Sequence, residues 1–120
     1  MSDSRFPRSV FGVGSDPDPR FTLANERTFL AWIRTSLALI AGGVALEAFD
    51  VPLPATLRAV VSAFMLVVAI VLPIVAWVQW KRAERALRQQ RPLPFSIAIP
   101  VLVGTIVVIA AVLLVGELLA

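Results

Sequence analysis

Three long apolar runs dominate this chain and leave it few possible folds. They cover residues 29–49, 57–80 and 95–119. Each exceeds the roughly 20 residues that a helix needs to cross a ~30 Å hydrocarbon layer. Membrane-spanning strands are about 10 residues long and alternate in polarity, so a barrel does not fit. Lipid offers the backbone no hydrogen bonds, and the runs must therefore be helices. The expected fold class is all-α, an integral membrane protein with transmembrane helices over about residues 24–49, 56–90 and 95–119.

The connections fix the topology. Pro52 and Pro54 stop the helices on either side of the first, and Arg91–Pro92–Leu93–Pro94 marks the second. Links this short force antiparallel neighbours, which gives an up-down-up unit. Residues 22–120 thus form one three-helix domain. Residues 1–21 are polar and interrupted by Pro7, Pro17 and Pro19, each of which disfavours helix in the residue before it. They are expected to be a flexible arm. They do not read as a secretory signal, because acidic residues stand where a basic n-region belongs.

Charge sets the orientation. Arg5, Arg8, Arg20 and Arg27 lie in the arm and first helical turns, and Lys81, Arg82, Arg85, Arg88 and Arg91 lie around the second connection. The first connection carries no basic residue, although Arg58 follows it closely. The positive-inside rule then places the N-terminus and the second connection in the cytoplasm, and the C-terminus outside. In a bacterium this is the inner membrane. Trp32, Trp77 and Trp80 fall toward the same side, where indole rings settle among headgroups.

Several function classes drop out. The chain has no cysteine, histidine or tyrosine. Disulfides, thiol chemistry, the usual metal ligands and the usual neutral-pH base are therefore missing. The few acids lie at opposite membrane ends, and there is no glycine-rich phosphate loop. No enzyme activity, metal or cofactor is expected. The pI of about 11.1 reads as an orientation signal and a contact surface for anionic lipids. Nucleic acid is not an expected partner, because no aromatics interleave with basic residues in an exposed stretch.

The basic residues carry the functional question. Arg34 lies inside the first span, where a charge costs roughly 2.5–3.5 kcal/mol on insertion scales. Its side chain leans toward the basic end, so it can snorkel to the headgroups. It can equally line a water-filled cavity. Arg27 and Arg34 are two helical turns apart and share a face, with Ala31 and Ala38 leaving room beside it. Arg20 extends this ladder, and Glu26 could hold an arginine or trim the field. A ring of such helices would make charged rings suited to an anion. Lys81, Arg85 and Arg88 share one face of the second helix, and Arg82 adds to this cytoplasmic basic face. That face reads as a solvated headgroup-binding end or as a funnel for anions. Glu84, four residues before Arg88, supports the helix.

Packing signals are weaker. Ala38, Gly42 and Ala45 fall in small-x3-small pairs that allow close helix approach. Pro73 should kink the second span. Arg58 could bridge to Glu47 or Asp50 at the opposite end, where Glu117 also lies.

Leu23–Ala24–Asn25–Glu26–Arg27–Thr28–Phe29–Leu30–Ala31–Trp32, followed by Arg34–Thr35–Ser36 and Gly42–Gly43, resembles the hallmark of the YidH family, domain of unknown function 202. The resemblance runs from about Arg20 to the end of the chain. The same domain forms the membrane part of the vacuolar transporter chaperone complex, which makes polyphosphate and passes it through a basic pore. The resemblance implies anion-path roles for Arg20, Arg27 and Lys81, with Glu26 near them. Arg34 is typical of the bacterial form and has no expected basic counterpart in the eukaryotic one. These residues supply no polymerase or inositol-phosphate sensor domain, so synthesis of polyphosphate is not expected. The reading is an oligomeric channel or transport subunit, built as a homo-oligomer, with a basic path for phosphate or polyphosphate. The alternative is a structural or regulatory membrane subunit that binds anionic lipid or a cytoplasmic partner.

Overall fold

A computed structural model describes residues 5–119. Four helices follow in order: α1 Arg8–Phe11, α2 Pro19–Ala48, α3 Ala55–Arg88 and α4 Ala98–Leu119. The three long ones are each long and apolar enough to cross a membrane. The molecule measures 64 × 24 × 20 Å, an elongated shape set by antiparallel helices. Helix α3 has 34 residues, about 51 Å at 1.5 Å per residue. That exceeds a ~30 Å hydrocarbon layer by roughly 20 Å. Its basic C-terminal turns therefore stand outside the apolar layer together with the start of α2.

Helices α2 and α3 form the main pair. The α2 residues facing α3 are Thr22, Asn25, Phe29, Trp32, Ser36, Leu39 and Gly43. Their alternating spacing of three and four residues is the period of a left-handed helical pair. Leu39, Val68, Ala69 and Leu72 form the buried core with Ala98 of α4, and Trp32 and Met65 pack against it. Farther along, the Ser62 hydroxyl donates to the Gly43 carbonyl at 2.7 Å. A methyl at Gly43 would come within 3.3 Å of that Ser62 carbonyl, so the backbones are close there. The close approach thus sits at Gly43 rather than along the expected Ala38, Gly42 and Ala45 series. Ala38 is exposed, and Gly42 meets only the flexible end of Met65.

Helix α4 packs mainly on α3. Gly116 admits the Leu57 side chain, which would lie 2.4 Å from an added Cβ. The Thr105 hydroxyl donates to its own helix at the Val101 carbonyl, so the span carries no orphan polar group there. Helix α3 runs through Pro73 as one element.

The helix ends differ from expectation for local reasons. Helix α2 begins at Pro19 rather than near residue 24. Proline suits the first helical position, because its missing N–H would be unpaired there anyway. The Asp18 carboxylate caps the helix by accepting from the Arg20 N–H at 2.9 Å. Helix α3 stops at Arg88, where Gln90 takes a left-handed φ of 55° and the Arg91 N–H reaches back to the Ala86 carbonyl at 2.8 Å. Helix α4 starts only at Ala98, after Pro94 and the Ser96 turn.

The arm departs most from expectation. Residues 1–4 lie outside the described residues, but residues 5–18 lie against α3 instead of standing free. Val10 is fully buried. Gly14 has φ +61° and touches the Arg88 backbone so closely that a Cβ would sit 2.1 Å from its carbonyl oxygen. The Ser15 N–H donates to that same carbonyl at 3.1 Å. Three prolines break regular helix, but they do not prevent an irregular segment from packing.

Candidate functional site

The candidate site is the end of the molecule where α2 begins, α3 finishes and the arm folds back. Its centre is a polar cluster that the spacing of basic residues did not reveal. Glu84 is 1% exposed, on the face of α3 turned to α2. The Asn25 amide donates to Glu84 at 3.1 Å and to the Trp80 carbonyl at 3.1 Å. The Thr22 hydroxyl donates to the other Glu84 oxygen at 3.4 Å. Asn25 thus ties α2 to both the backbone and a side chain of α3. Glu84 faces inward and supports this pair, not Arg88. One signal for it was available: Asn25 and Thr22 are the polar residues at helix-facing spacing from Phe29 and Trp32.

An aromatic layer lies next to it, toward the bilayer. Trp77 and Trp80 stack with centroids 5.3 Å apart, Phe29 meets Trp77 edge-on at 6.5 Å, and Phe11 of the arm meets Trp80 at 6.4 Å. Lys81 lies 5.8 Å above Trp77, within cation–π range.

The expected basic face of α3 is divided. Arg82 is exposed. Arg85 donates to the Ser9 carbonyl of the arm. Arg88 is only 5% exposed, against the solvated position expected for it. Its guanidinium donates to the Val13 carbonyl at 2.8 Å and the Phe11 carbonyl at 3.3 Å, and pairs with Asp16 at 2.5 Å. Arg5 pairs with Asp16 at 2.7 Å. These two arginines hold the Asp16 carboxyl below its ordinary range, Arg5 contributing most. The reason for the difference is the docked arm, whose carbonyls and carboxylate satisfy both guanidiniums. A cleft of about 300 Å³ remains beside them, lined by Arg5, Phe11, Asp16, Thr22, Glu84 and Arg88.

The α2 ladder is also divided. Arg20 pairs with Asp18 at 2.9 Å. Arg27, Arg34 and Glu26 are exposed, with no ion pair or side-chain hydrogen bond among the described residues. Glu26 therefore holds neither arginine within one chain. Arg27 stands about 200° around the helix from Asn25, which faces α3, so the ladder points away from α3. Its stripe is uniform: Arg20, Ala24, Arg27, Ala31, Arg34, Ala38, Ala41 and Ala45 alternate in steps of four and three. All but Ala45 are exposed. At the opposite end Arg58 approaches Asp50 at 4.0 Å, and its Nε is buried without a partner among the described residues.

A pair of spans tied by a buried polar cluster, with a third span at its side, defines an all-helical integral membrane protein. The chain belongs to the family described as Domain of unknown function (DUF202), whose model matches residues 20–86. It is 37% identical over 109 residues to the inner membrane protein YidH of Escherichia coli strain K12, covering 89% of this chain and 93% of that protein. It is also 44% identical over 81 residues to an uncharacterized protein of Mycobacterium tuberculosis strain H37Rv, covering 66% of each. No solved structure matches. The matched region holds Asn25, Arg27, Arg34, Trp80, Lys81 and Glu84 together.

Proposed function

We propose that copies of this chain assemble in the membrane around a path for anions of the phosphate or polyphosphate class, with the basic end in the cytoplasm. The observation that carries this reading is the arginine–alanine stripe of α2. All of it but Ala45 is exposed in the single chain, and Arg27 and Arg34 have no ion pair or side-chain hydrogen bond among the described residues. Small residues let a neighbouring helix approach closely. Burying arginines against lipid is costly, whereas lining a wet path gives them water and anions. Lys81, Arg20 and Glu26 stand nearer the mouth, where Lys81 adds to the attraction and Glu26 moderates it.

Flux into vesicles tests the proposal. Proteoliposomes should take up phosphate or short polyphosphate, and the double variant Arg27→Ala, Arg34→Ala should fall to the level of empty vesicles. Wild-type uptake no greater than that of empty vesicles would rule the path out.

One observation favours a second reading, a structural or regulatory subunit that binds anionic lipid. The stacked Trp77 and Trp80 with Lys81 over them have the character of an interfacial anchor. Single cysteines at Ala31 or Ala38 separate the two, since the chain has none of its own. Disulfide cross-links between copies support the path, and labelling by lipid-soluble reagents without cross-links supports the anchor.

A further inference from the structure

To the guanidiniums at the end of α3 the arm offers electron-rich groups. Arg85 and Arg88 receive the carbonyls of Ser9, Phe11 and Val13 and the carboxylate of Asp16. The Phe11 ring lies 5.4 Å from the Arg88 guanidinium and 4.4 Å from that of Arg5. Arg88 is thus a nearly buried cation whose side-chain hydrogen bonds, among the described residues, are all made to the arm. Besides Arg85 and Arg88, the arm is held by the buried Pro7 and Val10, the Phe11–Trp80 ring contact, a glycine contact and the Ser15 hydrogen bond. Few buried apolar contacts place such a segment at the low end of local stability.

We propose that the arm is a tethered stand-in for an oxyanion, and that a phosphate-class anion displaces it from Arg85 and Arg88. Phosphate oxygens match the guanidinium fork and carry charge, whereas three of the four arm acceptors are neutral carbonyls. The closed cleft does not itself take an anion, because Asp16 and Glu84 both line it. The site forms when Asp16 leaves. Glu84 stays behind, held by Asn25 and Thr22 toward α2. An anion that binds only the open form shifts the arm toward it in proportion to its occupancy. The displaced arm uncovers two arginines and Trp80 at the same end of the molecule. The proposal does not require copies to assemble or anything to cross the membrane.

The shared chemistry is a phosphate oxyanion, from solution or from a lipid headgroup. Hydrogen exchange of the full chain in nanodiscs separates the two. In purely zwitterionic lipid, tripolyphosphate should speed exchange at the amides of Val10, Phe11, Gly12 and Ser15 in a saturable way, leaving the spans unchanged. Discs containing phosphatidylglycerol, without tripolyphosphate, report the headgroup source. Acceleration in those discs alone would support the same site and assign it to lipid. Asp16→Asn should open the arm partly without ligand and lower the half-saturating tripolyphosphate concentration several-fold. Three results would overturn the proposal: no saturable change with either source, the same acceleration from sodium chloride at matched ionic strength, or an unchanged half-saturation in Asp16→Asn. None of these readouts depends on flux, so a failed uptake assay leaves the arm result intact.

Discussion

At the scale of single residues, a few buried polar side chains tie the helices together beside the apolar core. Removing Asn25 leaves the Trp80 carbonyl and a Glu84 oxygen short of a donor. Leaving such buried groups unpaired costs about 1–3 kcal/mol. Asn25→Ala should therefore loosen α2 from α3 by that amount in a detergent-unfolding titration. Glu84→Gln should cost less than Glu84→Ala, because its amide oxygen still accepts one hydrogen bond. Ser36 is the opposite case. Its buried hydroxyl has no partner among the described residues, so Ser36→Ala should leave the unfolding midpoint unchanged or raise it. Gly14→Ala faces both a left-handed φ and the Arg88 carbonyl. It should free the arm, seen as faster proteolysis before Pro17, with the spans intact.

At the scale of elements, the arm's docking should depend on pH through Asp16. Its carboxyl titrates below the ordinary 3.8 because Arg5 and Arg88 stabilise the charged form. A depressed carboxylate favours the docked state at every pH above 3.8, and that contribution fades as pH falls through the docked-state value. Arm amides should stay protected from neutral pH down to about 4 and lose protection only in stronger acid. The three long helices were readable from the sequence, since run length and hydropathy leave no other solution in lipid. Their inner faces were less so. The α3-facing series on α2 mixes Thr22, Asn25, Ser36 and Gly43 with Phe29, Trp32 and Leu39, and an apolar span hides which apolar residues meet protein. Arg88 misled for a related reason. A charge run near a helix end normally faces water, and only the three-dimensional return of the arm brings Asp16 beside it. The start of α2 is hidden in the sequence because proline reads as a helix breaker, whereas Pro19 serves as the first helical residue.

At the scale of the whole molecule, α3 is the organising element. It holds α2 along one side, α4 along another and the arm at its end, and its Val68, Ala69 and Leu72 lie in the core that Leu39 of α2 and Ala98 of α4 share. Its length predicts an asymmetric exposure pattern. A cysteine at Gln89 should react readily with membrane-impermeant thiol reagents, and one at Ala69 should not. If the basic end is cytoplasmic, Gln89→Cys reacts in inside-out vesicles and Asp50→Cys in intact spheroplasts. The reverse pattern would overturn the orientation, and with it the placement of the anion path's mouth.

The unequal attachment of the three spans bears on how the protein is made. Helix α2 is the least apolar span and carries Arg34. On its own it is a reluctant guest in lipid as it leaves the ribosome. The Asn25–Glu84 tie and the Gly43–Ser62 contact lie at the two ends of the α2–α3 pair, so each helix can shelter the polar groups of the other. The pair is thus suited to leave the translocation channel together, as a hairpin. Helix α4, strongly apolar and packed mainly on α3, can partition afterwards without help. A nascent chain stalled before α3 emerges should therefore be found in water or in the channel, and one stalled before α4 should already be a membrane protein.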